Sequence, residues 1–184
     1  MYYRTGRYFL VLLKRTKKKY NQQYFERIKE VIAERSGHNV LMGISDENET
    51  YITFQMTYKE AINALEIAHI RKKECPVVWN EKIGYWKLLK DMSQQQQCKE
   101  FVSKKIDALI QYDKENESDL IETLEALVNH LGARNITATS LYLHRNTLMY
   151  RIKKIENLTG YDLSDPESIL ELSLALRLNK FMNH

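Results

Sequence analysis

The sequence predicts an α+β fold in which an α/β segment comes first and an all-helical segment follows. Short apolar runs alternate with helical patterns as far as Trp79, whereas every pattern beyond Ile83 has the helical period. The run Asp113–Glu117 contains only polar and charged residues, which is typical of a linker. We therefore predict two domains, residues 1–112 and 119–184, joined by a linker at residues 113–118.

Strands and helices are expected to alternate in the first segment. Tyr8–Leu13 is a nearly continuous apolar run, which indicates a buried strand. Gly37 is placed to end the first helix. The remaining expected elements are a helix over Asn21–Arg35, strands over Asn39–Ser45 and Val77–Trp79, and helices over Thr53–Lys73, Ile83–Met92 and Gln97–Gln111.

Two helices are predicted ahead of the most informative stretch of the chain. Ser118 or Asp119 can cap the first, and Glu122 stands where a capping box with Asp119 would need it. The helical period then runs to Leu131, and Gly132 is a natural stop. Asn135 can cap a second, short helix over Ile136–Tyr142.

The segment His144–Ile155 has one thin apolar edge and is otherwise basic or hydrogen-bonding. The edge consists of Leu148, Ile152 and Ile155, and no acidic residue occurs before Glu156. Such a helix can pack along one edge and leave its other faces free to enter a duplex groove. The order of support helix, short helix, tight turn and basic helix predicts a helix-turn-helix, with the reading helix at about 145–157. An ordinary basic helical hairpin is the alternative.

The last predicted helix has a clear start and more apolar residues than a small core needs. Asp165 can cap it, and Pro166 fits its first turn. One apolar stripe, with Ile169, Leu172 and Leu176, is expected to close the core. A second stripe is expected to contribute to a homodimer, unless the whole helix is buried; it consists of Leu170, Leu174, Leu178 and Phe181.

Composition limits the classes of protein that the chain can represent. No run of 18 uncharged apolar residues is present, and the N-terminus lacks the regions of a signal peptide, so we expect a cytoplasmic protein without a membrane span. Cys75 and Cys98 are predicted to be free thiols. Because the histidines form no ligand spacing, no metal or other cofactor is predicted.

The net charge of +4 is modest, but the basic residues are clustered. Arg134–Ile155 contains five lysines and arginines and no acidic residue, and this cluster coincides with the predicted reading helix. A basic surface of this kind attracts phosphate. The first 20 residues contain seven more basic residues, mostly in Lys14–Lys19, for which a solvated segment is the simpler interpretation.

The predicted reading helix offers specific side chains to duplex DNA. Arg145 and Asn146 suit guanine and adenine edges, respectively, and are our predicted base readers. Met149 could touch a thymine methyl group, and Tyr150 could bind a phosphate or pack against the next helix. The remaining predicted DNA-contacting residues are the cap or phosphate ligand His144, the turn or phosphate ligand Thr147, and the phosphate ligands Arg151, Lys153 and Lys154.

Several separate motifs in this region resemble one family. They include Asp119–Leu124, His144–Leu148, Tyr150–Ile152 and Leu158–Leu163, and the similarity continues through Asp165-Pro166-Glu167 to Leu178. Together they resemble the C-terminal DNA-binding domain of the bacterial regulators of purine catabolism and sugar-diacid use, the PucR/CdaR type. The resemblance implies sequence-specific binding of a double-stranded DNA operator. Ile136 departs from the pattern, because family members commonly have a small residue there.

The first segment resembles the second half of the nucleotide-cyclase fold, which is ferredoxin-like and carries a Gly-Gly-Asp/Glu-Glu-Phe signature. The PucR/CdaR regulators carry a degenerate copy of this fold. Aligning the strands sets Thr5–Phe9 against the signature, so Arg7 and Tyr8 stand where a cyclase needs acids to hold Mg²⁺. The chain is therefore not expected to be an enzyme. It would also lack the first half of that fold, as expected for a fragment of a longer regulator or for a sheet edge covered by a partner.

Three functions compete on the sequence. The first is a cytoplasmic, sequence-specific transcription regulator that acts as a dimer, and the combined motifs favour it. The second is a nucleotide-binding or cyclase enzyme, which Arg7 and Tyr8 disfavour. The third is a helical interaction module or RNA binder, which would show no preference for duplex DNA over single strands.

Overall fold

A computed structural model describes residues 2–5, 8–11, 13, 20–46, 54–71 and 76–183. The chain divides into two compact units, Met1–Ile83 and Gly84–His184. The second unit thus begins about 30 residues before the boundary that the sequence predicts. The predicted signature residues Gly6 and Arg7, the basic run at 14–19 and Cys75 lie outside the described residues.

The first unit contains four strands and two helices in its described part. The strands are β1 (Tyr2–Thr5), β2 (Tyr8–Val11), β3 (Met42–Ile44) and β4 (Val77–Trp79), and the helices are α1 (Gln22–Ser36) and α2 (Phe54–Ile70). A 3-10 turn, Asn80–Lys82, follows β4. β1 and β2 form an antiparallel pair, and β3 and β4 form a separate parallel pair.

The strand predicted within Tyr8–Leu13 forms, but the prediction that it is buried is wrong. β2 is a strand, but it pairs with β1 alone, and its residues Phe9 and Val11 are exposed, Phe9 by 73%. A continuous apolar run indicates burial on both faces only when other elements cover the strand. In the described residues the sheet ends at two strands, and this cover is missing.

The parallel pair is the ordered centre of the first unit. β4 is buried at all three positions, and α2 packs against both strands with Ala64, Ile67 and Ala68 fully buried. Gly43 in β3 lies so close to α2 that a Cβ atom there would overlap the carbonyl oxygen of Ala61 and the backbone of Leu65. The strand and helix therefore need glycine at this position.

Helix α1 has the predicted ends, but its apolar residues are not buried. The Asn21 side chain accepts the N–H of Tyr24 at 3.0 Å, and Gly37 ends the helix with a left-handed φ of 69°. The apolar residues Tyr24, Val31 and Ile32 are nevertheless exposed, and α1 contains no buried residue. Within the described residues, the parallel pair β3–β4 is too narrow to cover this helix.

The second unit is all-helical in its described part. Its helices are α3 (Tyr85–Ser93), α4 (Gln96–Asn116), α5 (Leu120–Asn129), α6 (Arg134–Ser140), α7 (Arg145–Thr159) and α8 (Pro166–Met182). They share one core, in which the fully buried side chains include Ile106, Leu109, Leu124, Leu127, Leu148, Ile152, Ile155, Leu163 and Leu172.

The segment that the sequence predicts as a linker is mostly helical. α4 continues to Asn116, and only Glu117, Ser118 and Asp119 separate it from α5. The Asp113 carboxylate accepts the N–H groups of Leu120 and Ile121 at 2.9 and 2.8 Å. The polar residues of this run therefore cap the next helix rather than link two domains.

The caps of α5 and α6 also differ from the predicted ones. Asp119 precedes α5, but its side chain makes no cap hydrogen bond, because the carboxylate of Asp113 takes that place. Helix α6 begins at Arg134, so Asn135 lies inside its first turn and Ala133 is the cap residue. The predicted short helix is confirmed, but it starts two residues earlier.

Only part of the second apolar stripe predicted on α8 is exposed. Asp165 caps it as predicted, with Pro166 in the first turn. Of the second stripe, Leu178 is buried and Phe181 is half-buried against Trp86 of α3, with ring centroids 5.9 Å apart. The other two residues of that stripe, Leu170 and Leu174, are exposed by 61% and 37%.

In the described ranges, no helix is both long and apolar enough to cross a membrane.

Candidate nucleic-acid interface

Helices α6 and α7 meet in the tight turn that the sequence predicts. The N–H of Leu143 donates to the carbonyl of Ala138 at 2.9 Å, and the N–H of Tyr142 donates to that of Thr139 at 3.2 Å. Thr137 is fully buried and donates its hydroxyl to the carbonyl of Ala133. These bonds fix α6 and direct the chain into α7.

The predicted apolar edge of α7 is confirmed. Leu148, Ile152 and Ile155 are each at most 1% exposed and pack in the core of the second unit. His144 caps the helix, because its Nδ1 accepts the N–H of Asn146 at 3.2 Å. At the other end, Gly160 adopts a left-handed φ of 75° and terminates the helix.

A polar stripe lies opposite the buried edge of α7. Asn146, Tyr150, Lys153 and Asn157 follow one another at intervals of four, three and four residues, and all four are exposed. This spacing places them on one face of a helix. Tyr150 is 69% exposed, so the alternative that it packs against the next helix is wrong.

Three other predicted residues border this stripe. Arg145 and Thr147 occupy the first turn of α7 and are exposed. Met149 is half-buried against the core, and Arg134 donates a long hydrogen bond of 3.9 Å to its sulfur. Its contact with a thymine methyl group stays a prediction.

The structure places Arg151 against α5 rather than on the open face. Its guanidinium donates to the carboxylate of Asp119 at 3.0 Å and to the hydroxyl of the buried Thr123 at 3.0 Å. The Thr123 hydroxyl in turn donates to the Asp119 carbonyl. This network joins α7 to α5 and occupies the group that the sequence assigns to phosphate.

Lys154 also faces a neighbouring helix. Its ammonium lies 4.5 Å from the ring centroid of Tyr112 in α4, which is the geometry of a cation–π contact. Of the three predicted phosphate ligands on α7, Lys153 alone is exposed.

Arg134 was counted in the basic cluster but not assigned a role by the sequence. It lines a shallow hollow between α6 and α7 whose other walls include Met149, Tyr150 and Lys153. Asn157 was also missed, although the helical period from Asn146 through Tyr150 and Lys153 would have found it. A cationic side chain such as Arg134, coming from a different helix, carries no such periodic signal.

The C-terminal end of α7 is tied to α4 and α8. The Glu156 carboxylate accepts the N–H of Leu163 at 3.1 Å. Tyr161 donates its hydroxyl to Glu171 at 2.9 Å, and the ammonium of Lys105 pairs with the same carboxylate at 2.5 Å. These contacts lie at the C-terminal end of α7, whereas the residues of its first turn are exposed.

Two aspartates between α7 and α8 have lowered pKa values. The pKa of Asp162 is lowered by hydrogen bonds from the hydroxyl and N–H of Ser164, with a smaller contribution from Arg134. The pKa of Asp165 is lowered by hydrogen bonds from the hydroxyl and N–H of Ser168. Both carboxylates therefore prefer their charged form in the folded protein.

The described part of the chain contains no group of three or more His, Cys, Asp or Glu residues able to hold a metal ion. Cys98 is buried and free, as predicted.

Residues 120–178, from α5 to most of α8, match the family model of the PucR C-terminal helix-turn-helix domain. The chain carries a PucR-type helix-turn-helix domain. The predicted resemblance is thereby confirmed for this part of the chain, and the match contains the turn, α7 and the buried edge described above.

Similar proteins are named as regulators of transcription. The chain is 30% identical over 142 residues to the proline-responsive transcriptional activator PutR of Bacillus subtilis, covering 77% of this chain and 34% of that protein. It is 28% identical over 160 residues to the purine catabolism regulatory protein of the same species, covering 87% of this chain and 30% of that protein. A 66-residue stretch is 39% identical to the carbohydrate diacid regulator of Escherichia coli, covering 36% of this chain and 17% of that protein.

The chain spans about a third of the length of the first two of these relatives. The helix-turn-helix domain and the named relatives support a DNA-binding transcriptional regulator. The resemblance of the first unit to a degenerate nucleotide cyclase stays a prediction.

Proposed function

We propose that this protein regulates transcription by reading the major groove of a DNA operator with α7. The observation that carries the proposal is the polar stripe of α7, which lies opposite a fully buried edge and ends at an exposed N-terminal turn. A helix held in this way can enter a groove about 12 Å wide without exposing its apolar residues. The positive side chains bordering the stripe add attraction to phosphate.

The exposed residues divide by chemistry into base readers and phosphate ligands. Arg145 and Asn146 stand at the start of α7, where helix-turn-helix proteins contact base edges, and both side chains can form bidentate hydrogen bonds with bases. Lys153 and Tyr150 border the hollow between α6 and α7, as does the half-buried Arg134, and all three are suited to phosphate. Arg151 and Lys154 position the helix through α5 and α4, respectively.

We further propose that the protein binds its operator as a homodimer. Leu170 and Leu174 are one turn apart on α8, and both are exposed although the rest of their stripe is covered. A second copy would cover them and would place two reading helices on one duplex. The first unit, with its strand and helix order of a degenerate cyclase half, would then serve regulation rather than catalysis.

The names of the relatives suggest where such a regulator acts. They respond to proline or govern the catabolism of purines and the use of carbohydrate diacids. We propose a cytoplasmic regulator of the same general kind, which controls genes for the use of a small nitrogen or carbon source.

Selection of bound sites from random duplex DNA tests the proposal. We expect one recovered motif, repeated at a half-site spacing of about 34–36 Å if the protein binds as a dimer. An Arg145→Ala variant in the same selection should lose the preference at one base pair, equivalent to about 1–3 kcal/mol, and keep the rest of the motif.

Two outcomes would contradict the proposal. Recovery of no motif, or equal binding of single-stranded and duplex competitors, would show that α7 does not read a groove. A single half-site, together with a monomeric mass in light scattering at micromolar concentration, would contradict the homodimer but not the proposal that α7 reads a groove.

A further inference from the structure

Tyr142 combines an unfavourable backbone with an almost fully exposed side chain. It has a φ of 55°, in the left-handed region that side chains with a Cβ rarely adopt, and it is 97% exposed. The hydrogen bonds from Leu143 to Ala138 and from Tyr142 to Thr139 form the helix-ending motif in which glycine usually holds this place. Tyr142 thus fills a position where glycine would cost the fold less.

The side chain of Tyr142 contributes little to the packing of the domain. Its phenol hydroxyl makes no hydrogen bond within the described residues, and its ring is almost entirely in solvent. A strained backbone position is a reason to look for a function, because the fold itself gains nothing from it.

The position of Tyr142 relative to α7 suggests that function. It lies two residues before the cap residue His144 and three before Arg145, so it sits just outside the end of α7 that we assign to the base edges. The chain that leads into a groove-bound helix passes the sugar–phosphate backbone that lines the groove. A phenol hydroxyl at this place can donate a hydrogen bond to a phosphate oxygen.

We infer that Tyr142 is a DNA-contacting residue, whose hydroxyl binds a backbone phosphate beside the N-terminal end of α7. The inference rests on the proposed function. The contact fixes the depth and angle of the reading helix without reading sequence. It offsets the strain of the turn only when DNA is bound.

The chain offers a matched control at the other end of α6. Leu131 has a φ of 51°, is 88% exposed and ends α5 with the same pair of hydrogen bonds, from Gly132 to Leu127 and from Leu131 to Val128. It adjoins α8, since a Cβ on the next residue, Gly132, would lie 4.0 Å from Ile169. Leu131 shares the strain of Tyr142 but lies 13 residues before the cap residue His144, whereas Tyr142 lies two residues before it.

Three full-length variants test the inference, with the selected duplex and a random duplex as probes. Tyr142→Gly and Leu131→Gly should each raise the thermal midpoint by a few degrees, because glycine relieves the left-handed strain. Only Tyr142→Gly should also weaken DNA binding. Tyr142→Phe keeps the ring and backbone and should lower the affinity for both duplexes by about three- to tenfold, as expected for the net contribution of one solvent-accessible hydrogen bond. Its salt dependence should equal that of the parent, since no charge is removed.

The affinity of Tyr142→Phe decides the matter, whatever the glycine variants do to stability. Binding equal to that of the parent on both duplexes would overturn the inference and leave the proposed function intact. A loss on the selected duplex alone would also overturn it, because it would indicate a base contact. If the parent bound no duplex at all, the proposed function itself would fail.

Discussion

The guanidinium of Arg151 is shared between Asp119 and Thr123 of α5, so it is occupied before any DNA arrives. Lys153, two residues later, is exposed and borders the hollow between α6 and α7. Sequence alone gives both residues the same interpretation, because both are basic and stand on one helix. The difference depends on which side chain faces α5, and this requires the packing of the two helices.

Alanine substitutions should separate these two roles. Lys153→Ala should weaken binding to all duplexes alike and lower the slope of log affinity against log salt by about one, with no change in the free energy of unfolding. Arg151→Ala should lower the free energy of unfolding by about 1 kcal/mol, because Thr123 and Asp119 lose a charged hydrogen-bond partner. Titration with duplex at several salt concentrations and unfolding in urea measure the two effects. A larger loss of salt slope in Arg151→Ala than in Lys153→Ala would contradict the assignment.

The helix ends show which parts of the fold could be predicted. Gly37, His144 and Asp165 were predicted as terminators or caps, and the structure confirms them, because each acts within three or four residues of itself. The cap of α5 could not be found in this way. It comes from Asp113, seven and eight residues before the N–H groups that it accepts, and depends on where the last turn of α4 ends. These helix ends depend on residues that are close in sequence, whereas the cap from Asp113 depends on the geometry of the turn between α4 and α5.

The cap of α8 should make stability depend on pH. The hydroxyl and N–H of Ser168 lower the pKa of Asp165 in the folded state, whereas in the unfolded chain an aspartate has a pKa of about 3.9. The stabilisation is therefore complete above that value and is lost as the pH falls through the lower folded pKa.

Asp165→Asn keeps a capping oxygen but cannot titrate in this range. The difference in free energy of unfolding between the parent and this variant should be largest near pH 6 and shrink below pH 4, as measured by urea unfolding at each pH. Glu167→Gln removes a charge from the same turn and leaves the cap, so it controls for the helix dipole. A difference that stays constant with pH would contradict the role of Asp165.

At the scale of the molecule, the sequence pattern predicts burial better in the second unit than in the first. The second unit follows its helical periods closely, although Leu88 and Met92 of α3 are exposed, as are Leu170 and Leu174 of α8. The first unit has the predicted order of strands and helices after Tyr20, but Phe9 of the strand expected to be buried is exposed, and so are Val31 and Ile32 of α1. Periodicity shows which side chains can face a core. Whether those of the first unit are buried depends on how many strands pair beside them.

A substitution in β3 should affect the first unit alone. Gly43→Ala introduces a Cβ against the backbone of α2, where helix atoms cannot move as a flexible side chain can, so we expect a loss of about 1–3 kcal/mol. Hydrogen exchange followed by mass spectrometry should show faster exchange in β3 and α2 and no change in α5 to α8. Gly37→Ala, at a site with open space around the Cβ, separates backbone strain from steric overlap. Equal protection of β3 in the parent and in Gly43→Ala would contradict the close approach.

The carboxylate of Asp113 makes the helix-turn-helix domain dependent on α4. The family match begins at residue 120, yet the first turn of α5 is completed by a residue of α4, and Ile106 and Leu109 of the same helix are fully buried in the shared core. A graft cut at residue 120 would leave two backbone donors of α5 without their acceptor and open the core on one side. The smallest fragment expected to fold with α7 in its native position therefore includes α4.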